Sequence, residues 1–359
     1  MKRLMKKLEF WGKRFLENLI GLFLSSNQIG LPPEQIHRVL VYRLDQRIGN
    51  GILLLPLLNA IRRTRPDIEL HLFIHQPVAE LYREFAPDLV HHLWPYRQRY
   101  LLSLPWRLVQ LLFRLRRQRY DLIISSHNPD SFSLSQALMG RFLKPRALVG
   151  FRWKNSEKFY HIAIPSSAEK HYAAAQLDLW RHFYPQAPLE WGGFHVPEQT
   201  IREAFAQWGI SLPHKSALLW LGATGDKVLP ISLISFLYEQ IRKQTGLEVI
   251  PALGPADEAI YQQLPDGLRE KTLVWSRPLR ETAIFFALFS LFISADTGPM
   301  HLAVALGLST LTIFRHSNPV QYGYQEPNRH ISLMYRGRAA DREAIVQALS
   351  QLGNALNAH

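Results

Sequence analysis

The chain has 359 residues, 47% of them hydrophobic, no cysteine, and 42 Lys+Arg against 29 Asp+Glu for a net charge of +13. That length suits two domains of ordinary size, and that apolar content excludes global disorder. The lack of cysteine excludes disulfides, thiolate metal sites and cysteine nucleophiles, while the basic excess favours anionic partners: phosphorylated substrates, an anionic membrane face or nucleic acid.

Residues 1–30 read as a basic amphipathic helix. Leu4, Leu8, Trp11, Phe15, Leu19 and Leu22 recur at three- and four-residue steps, with Lys2, Arg3, Lys6, Lys7, Lys13 and Arg14 on other faces. Charge persists as far as Glu17, which disfavours a spanning helix, and no small-x-small site closes the segment as in a signal peptide. The pattern fits a helix lying on an anionic membrane surface; packing on the protein's own core is the other solution. Residues 25–33, with Ser, Asn, Gly and two prolines, form a linker.

Residues 38–44 predict a short buried strand, 45–51 a polar turn, and 52–63 a helix with Pro56 near its first turn. A strand at 69–74, a helix near 78–85 and a short strand around 89–93 follow. Strands alternating with helices indicate a parallel sheet, which binds ligands at the carboxyl ends of its strands. Asp45 and Arg47 fall there, either as a capping turn with surface charges or as part of a site. Residues 96–120 carry Arg97, Arg99, Arg107, Arg114, Arg116, Arg117 and Arg119, with Leu108, Leu111, Leu112 and Leu115 interleaved at helical spacing. This is a solvated basic face on a sheet-covering helix, or a surface for the phosphates of a glycolipid or a membrane. Strands are also expected at 120–125, followed by His127 and Asn128, and at 147–151. A helix opens at His171 and runs to about 184, and 185–197 reads as an interdomain linker.

The second half restarts the pattern. A strand at 216–221 leads into a turn with Thr224 and Lys227; a helix spans 233–244; a strand at 247–253 leads to Asp257 and Glu258; and another strand lies at 273–277. An apolar run at 284–293 predicts a buried strand delivering the chain to Asp296, with a helix starting near Thr297. Asp296 or Thr297 suits the N-cap, and Pro299 falls in the first turn, where a missing N–H costs little. The free N–H groups of such a helix start bind phosphate oxygens, Gly298 permits close backbone approach, and His301 lies one turn in. An ordinary capped strand-to-helix turn is the bland alternative. Residues 341–355 predict a terminal helix packing across both domains.

The string of residues 296–307, D-T-G-P-M-H-L-A-V-A-L-G, closely resembles the C-terminal signature of glycosyltransferase family 9, the bacterial lipopolysaccharide heptosyltransferases. Residues 43–50, R-L-D-Q-R-I-G-N, resemble the family's N-terminal motif, and the resemblance extends over residues 36–335. It implies an α/β GT-B fold: two Rossmann-like domains facing across a cleft, here 36–195 on the acceptor side and 196–359 binding the nucleotide sugar, behind an amphipathic helix and linker at 1–35. It implies an inverting transfer of heptose or a related sugar from an ADP-sugar to a lipopolysaccharide-type acceptor, at the cytoplasmic face of the inner membrane. Thr224, Lys227, Glu258, Asp296, Thr297, Gly298 and His301 would bind the donor, with Lys227 also catalytic; Arg47 and His127 would meet the acceptor. No D-x-D string is present, and no metal or cofactor is expected. The family motif usually has aspartate, the proposed base, where this chain has Asn50. An amide cannot take that proton near neutral pH. Asp45 is the nearest carboxylate to substitute, unless it only caps the turn or pairs with Arg47. Two further readings stay open: a degenerate relative that binds donor or glycolipid without turnover, and a basic nucleic-acid binder, which no zinc-finger, zipper or RNP-type string supports.

Overall fold

The computed structural model describes residues 30–97, 104–154, 156–167, 169–211 and 215–358. The basic helix expected at 1–30 lies outside the described residues, apart from Gly30. The first sheet contains β1 (Arg38–Arg43), β2 (Glu69–His75), β3 (His92–Tyr96), β4 (Leu122–Ser125), β5 (Ala147–Arg152) and β6 (Ile162–Pro165), in the order 3-2-1-4-5-6. The second contains β7 (Ser216–Trp220), β8 (Glu248–Leu253), β9 (Leu273–Val274), β10 (Leu291–Ala295), β11 (Ser309–Phe314) and β12 (His330–Met334), in the order 12-11-10-7-8-9. Every ladder is parallel. Counted from its own first strand, the second sheet repeats the order of the first. Each therefore reverses direction between its first and fourth strands, β1 and β4 in one and β7 and β10 in the other. Such a switch point opens a crevice at the carboxyl ends of the strands.

The strands at these switch points are continuous apolar runs because helices cover both sheet faces. Val39, Leu40, Val41, Leu218, Leu219, Phe292 and Ile293 are fully buried. One hydrophobic core runs through both halves, from Val41 and Leu57 to Phe285 and Met300. The helix Gln76–Phe85 packs on the helix Leu279–Ala287, and the short helix Ile48–Ile52 packs on the helix Gly298–Ala305. At the rim, the Arg280 guanidinium donates to both carboxylate oxygens of Glu84.

Several elements differ from the sequence reading. The apolar run at 284–293 is not one strand: it holds the end of the helix Leu279–Ala287 and the start of β10. Ala283, Ile284, Phe285 and Phe286 are all buried, so the helix shows no polar stripe to mark its period. The turn at 45–51 contains the helix Ile48–Ile52 despite two glycines. Both are required by packing: a Cβ on Gly49 would stand 2.6 Å from His301 Cδ2, and one on Gly51 would stand 2.8 Å from Val78 Cγ1. The terminal helix Ala339–Asn357, expected to pack across both domains, seats on the second half. It packs on the helix Ile231–Thr245 and on β11 and β12, where Ile345, Leu349 and Leu352 complete the second core. Gly353 lets it close on the Gln244 and Thr245 backbone.

Candidate active site

At the carboxyl end of β1, Arg43 is 2% exposed, and its burial lowers its pKa while the neighbouring Asp45 opposes that shift. A buried guanidinium needs several acceptors. Arg43 finds Asp45 Oδ2 at 2.6 Å, the Ser126 carbonyl at 3.1 Å, and the Asn128 side-chain oxygen, so it ties the β1 turn to the β4 turn. Asp45 Oδ1 accepts from the Arg47 N–H at 3.1 Å and from Asn50 Nδ2 at 3.2 Å. The Asp45 side chain keeps 28% of its surface exposed. Asn50 therefore points its amide at Asp45, five residues back, and holds one of its carboxylate oxygens. Arg47 contributes its backbone to this turn, while the residue itself is exposed.

The β10 end forms the opposite wall. Thr297 is the N-cap of the helix Gly298–Ala305 with Pro299 in its first turn, but its side chain makes no capping bond. Its Oγ1 is buried with no hydrogen-bond partner. Asp296 is 4% exposed and accepts a 2.5 Å ion pair from Lys227 Nζ, which reaches over from the loop after β7. Ser317, after β11, donates to the same Asp296 oxygen. An ammonium has three donors, so the Asp296 bond leaves two for an anionic ligand. The Lys227 side chain is 36% exposed and its Nζ lies 6.0 Å from the Tyr322 ring centre. Tyr322 in turn packs on Tyr172 of the first half, with ring centres 4.6 Å apart.

His301 is buried between the halves. Its Nδ1 shares a 2.9 Å hydrogen bond with the Tyr324 hydroxyl, and its ring edge faces Gly49. Burial lowers its pKa to about 4, with Asp296 opposing and Lys227 adding to the shift. The imidazole is therefore neutral near pH 7. Two motif turns, one from each sheet, thus meet through Gly49, Gly298 and His301. This contact brings Asp45 and Asn50 to the same cleft as Lys227, Asp296 and Thr297.

The remaining candidates sit further out. Thr224 is exposed in the β7 loop. Glu258 is exposed and accepts from Gln262 Nε2 at 2.5 Å within its own short helix. Its neighbour Asp257, to which the sequence reading assigns no role, turns inward instead. Its carboxylate accepts the Gly254 N–H at 3.1 Å and lies against Gly222, where a Cβ has no room. Burial raises the Asp257 pKa. His127 follows β4 as expected, but its Nδ1 is engaged by Ser131 Oγ at 3.2 Å, and burial lowers its pKa. Arg43, Tyr172, Tyr322 and Tyr324 are not among the candidates that the sequence reading names. Only Arg43 carried a signal, as an arginine ending an apolar strand two residues before an aspartate. Among the described residues no group of three His, Asp or Glu side chains is placed to hold a metal ion.

A family model for glycosyltransferase family 9 (heptosyltransferase) matches residues 108–348. No curated protein sequence matches the chain. Among solved structures, a glycosyltransferase family 9 protein from Veillonella parvula aligns at a TM-score of 0.66 and 17% identity, covering 93% of this chain and 100% of that one. The Escherichia coli heptosyltransferase WaaC with ADP-2-deoxy-2-fluoro heptose aligns at 0.61 and 19% identity, covering 89% and 98%. The E. coli ADP-heptose lps heptosyltransferase II aligns at 0.64 and 17% identity, with the same coverage. These similarities establish the GT-B fold. With two matching Rossmann-like halves and a family model spanning both, the chain belongs to glycosyltransferase family 9, the heptosyltransferase family.

Proposed function

We propose that the chain is an inverting glycosyltransferase that moves a heptose, or a related sugar, from an ADP-sugar to a lipopolysaccharide-type glycolipid. One observation carries this reading: the turn holding Asp45 and Asn50 meets the helix start holding Asp296, Thr297 and Lys227's partner oxygen, across the Gly49–His301 contact. The E. coli relative WaaC is described with ADP and with an ADP-heptose analogue, which supports an ADP-linked donor here.

In this reading the donor diphosphate lies against the N-terminus of the helix Gly298–Ala305, where the helix dipole and free N–H groups favour negative charge. Lys227 supplies a positive charge to the departing diphosphate. Asp45 takes the proton from the acceptor hydroxyl. That oxygen attacks the anomeric carbon from the opposite face while the bond to the diphosphate breaks, so ADP leaves and the configuration inverts. Asn50 orients Asp45 through its 3.2 Å hydrogen bond. His301, neutral, and Gly298 fit the donor side; Thr224 and Glu258 line its approach, and Arg47 and His127 the acceptor side. The leaving charge is met by Lys227 and the helix start, so no metal is needed. Residues 1–30 would hold the enzyme to the cytoplasmic face of the inner membrane.

Asn50 favours a second reading, a relative that binds donor or glycolipid without turnover. The two separate in a turnover assay with ADP-heptose and a glycolipid acceptor. An enzyme using Asp45 turns over as wild type and loses on the order of 10²-fold in Asp45→Asn while still binding ADP. A wild type that is inert, with turnover appearing in Asn50→Asp, selects the binding protein. Full turnover in Asp45→Asn refutes Asp45 as the base.

A further inference from the structure

The helix Pro105–Arg117 has two apolar faces and only one of them is used. Leu115 is fully buried and Leu108, Leu111 and Leu112 pack with it on the first sheet's second core. Trp106, Val109 and Phe113 lie on the opposite side, 52%, 49% and 49% exposed. Their spacing of three and four residues makes one stripe. Of the five large apolar residues that are exposed among the described residues, three are in this stripe. Phe113 continues it onto the partly buried Phe142 of the next helix, with ring centres 5.5 Å apart. A contiguous exposed apolar patch of this kind marks an interaction surface.

The chemistry around the stripe says what covers it. From residue 89 to residue 120 the chain has seven arginines and no Asp, Glu or Lys. Arg107, Arg114 and Arg117 are exposed, and the Arg107 guanidinium lies 5.1 Å from the Trp106 ring centre. An apolar stripe headed by tryptophan, on a helix whose only charged residues are arginines, matches the interface of an anionic bilayer, where rings enter the acyl boundary and guanidinium groups meet phosphates. A protein partner would need a dense acidic rim to satisfy the same arginines. The helix also points the right way. Its C-terminal end is at the amino edge of the sheet, where Arg38 binds the Gln118 carbonyl. Its Trp106 end therefore lies toward the carboxyl edge, on the side of the cleft.

We infer that the helix Pro105–Arg117 is a lipid-docking element: its Trp106–Val109–Phe113 face seats on an anionic phospholipid surface beside the cleft. This surface is separate from residues 1–30 and does not depend on the catalytic reading.

The test exploits the lack of native cysteine. A polarity-sensitive dye is placed on Val109→Cys of the full chain, with exposed Glu343→Cys as the control position. Vesicles are phosphatidylcholine alone or with phosphatidylglycerol at about one part in three. The dye at 109 is expected to blue-shift with the anionic vesicles only, and the dye at 343 with neither. The triple variant Trp106→Ser, Val109→Ser, Phe113→Ser is expected to keep the wild-type circular dichroism and to lose about tenfold or more in vesicle partitioning. Arg114→Gln with Arg117→Gln is expected to lose on the order of tenfold on anionic vesicles alone. The inference is overturned by a dye at 109 that does not respond, by an equal response to neutral vesicles, or by unchanged partitioning of the triple variant. A blue shift that needs protein concentration and no lipid overturns it in favour of a second copy of the chain.

Discussion

Replacing Lys227 by methionine separates the ion pair's two jobs. Asp296 is 4% exposed, so removing its partner leaves a carboxylate that water barely reaches. Breaking a buried pair costs ~3–5 kcal/mol. Here the lysine is 36% exposed and Ser317 still donates to Asp296, which lowers the expected loss to roughly 1–3 kcal/mol. For a folding unit of about 150–250 residues that is a fall in melting temperature of roughly 2–12 °C. Lys227→Met combined with Asp296→Asn removes the orphaned charge and should recover most of that fall. On the proposed mechanism turnover should not recover, because a departing diphosphate would still lack its cation; a loss on the order of 10²–10³-fold is expected. Differential scanning fluorimetry and kcat/KM on the same preparations read both quantities. An unshifted melting temperature in Lys227→Met would show that the pair contributes nothing to the fold. Wild-type turnover in the double variant would show that Lys227 has no catalytic part.

Gly49→Ala places a Cβ 2.6 Å from His301 Cδ2 and 3.4 Å from Gly298 Cα. His301 is fixed by Tyr324, so about 1–3 kcal/mol of overpacking is expected at the contact between halves. Alanine is the better helix former, by ~1 kcal/mol, so a gain in thermal stability with unchanged kcat/KM would contradict the close contact. Burial holds His71, His301 and His330 at about 4, below the ordinary value near 6.5. The unfolded chain then takes up protons first. Stability from these groups is complete above about pH 6.5 and lost as pH falls toward 4. A melting temperature that rises on acidification through that window would refute the burial of neutral imidazoles. Excess EDTA is expected to leave turnover unchanged; activity lost to EDTA and restored by magnesium would contradict a charge balance met by Lys227 and the helix start.

The sequence made the switch-point strands legible because buried parallel strands are plain apolar runs with turn residues at each end, as at 38–44 and 216–221. It was less informative wherever both sides of an element are covered. The helix Leu279–Ala287 lies between the helix Gln76–Phe85 and the helix Glu198–Trp208, so its phenylalanines show no period and merge with β10. The strand expected at 89–93 is β3 at His92–Tyr96, because residues 86–91 belong to the turn before it. The motifs single out Asp45, Lys227, Asp296 and His301 one by one as candidates, but nothing local joins Lys227 to Asp296 across 69 residues. The inward turn of Asp257 is hidden for a related reason. Its place is set by Gly222 and Gly254 on two different strand ends, whereas Glu258 next to it matches the motif offset.

The most direct measurement is a calorimetric titration of the purified chain with ADP, UDP, GDP and CDP, repeated on Asp296→Ala. Selective binding of ADP that is lost in the variant is the predicted result, and it places an ADP-linked donor at the helix start. Equal binding of all four nucleotides, ADP binding that survives Asp296→Ala, or no binding at all would contradict a donor site built on Lys227, Asp296 and the Gly298–Ala305 helix.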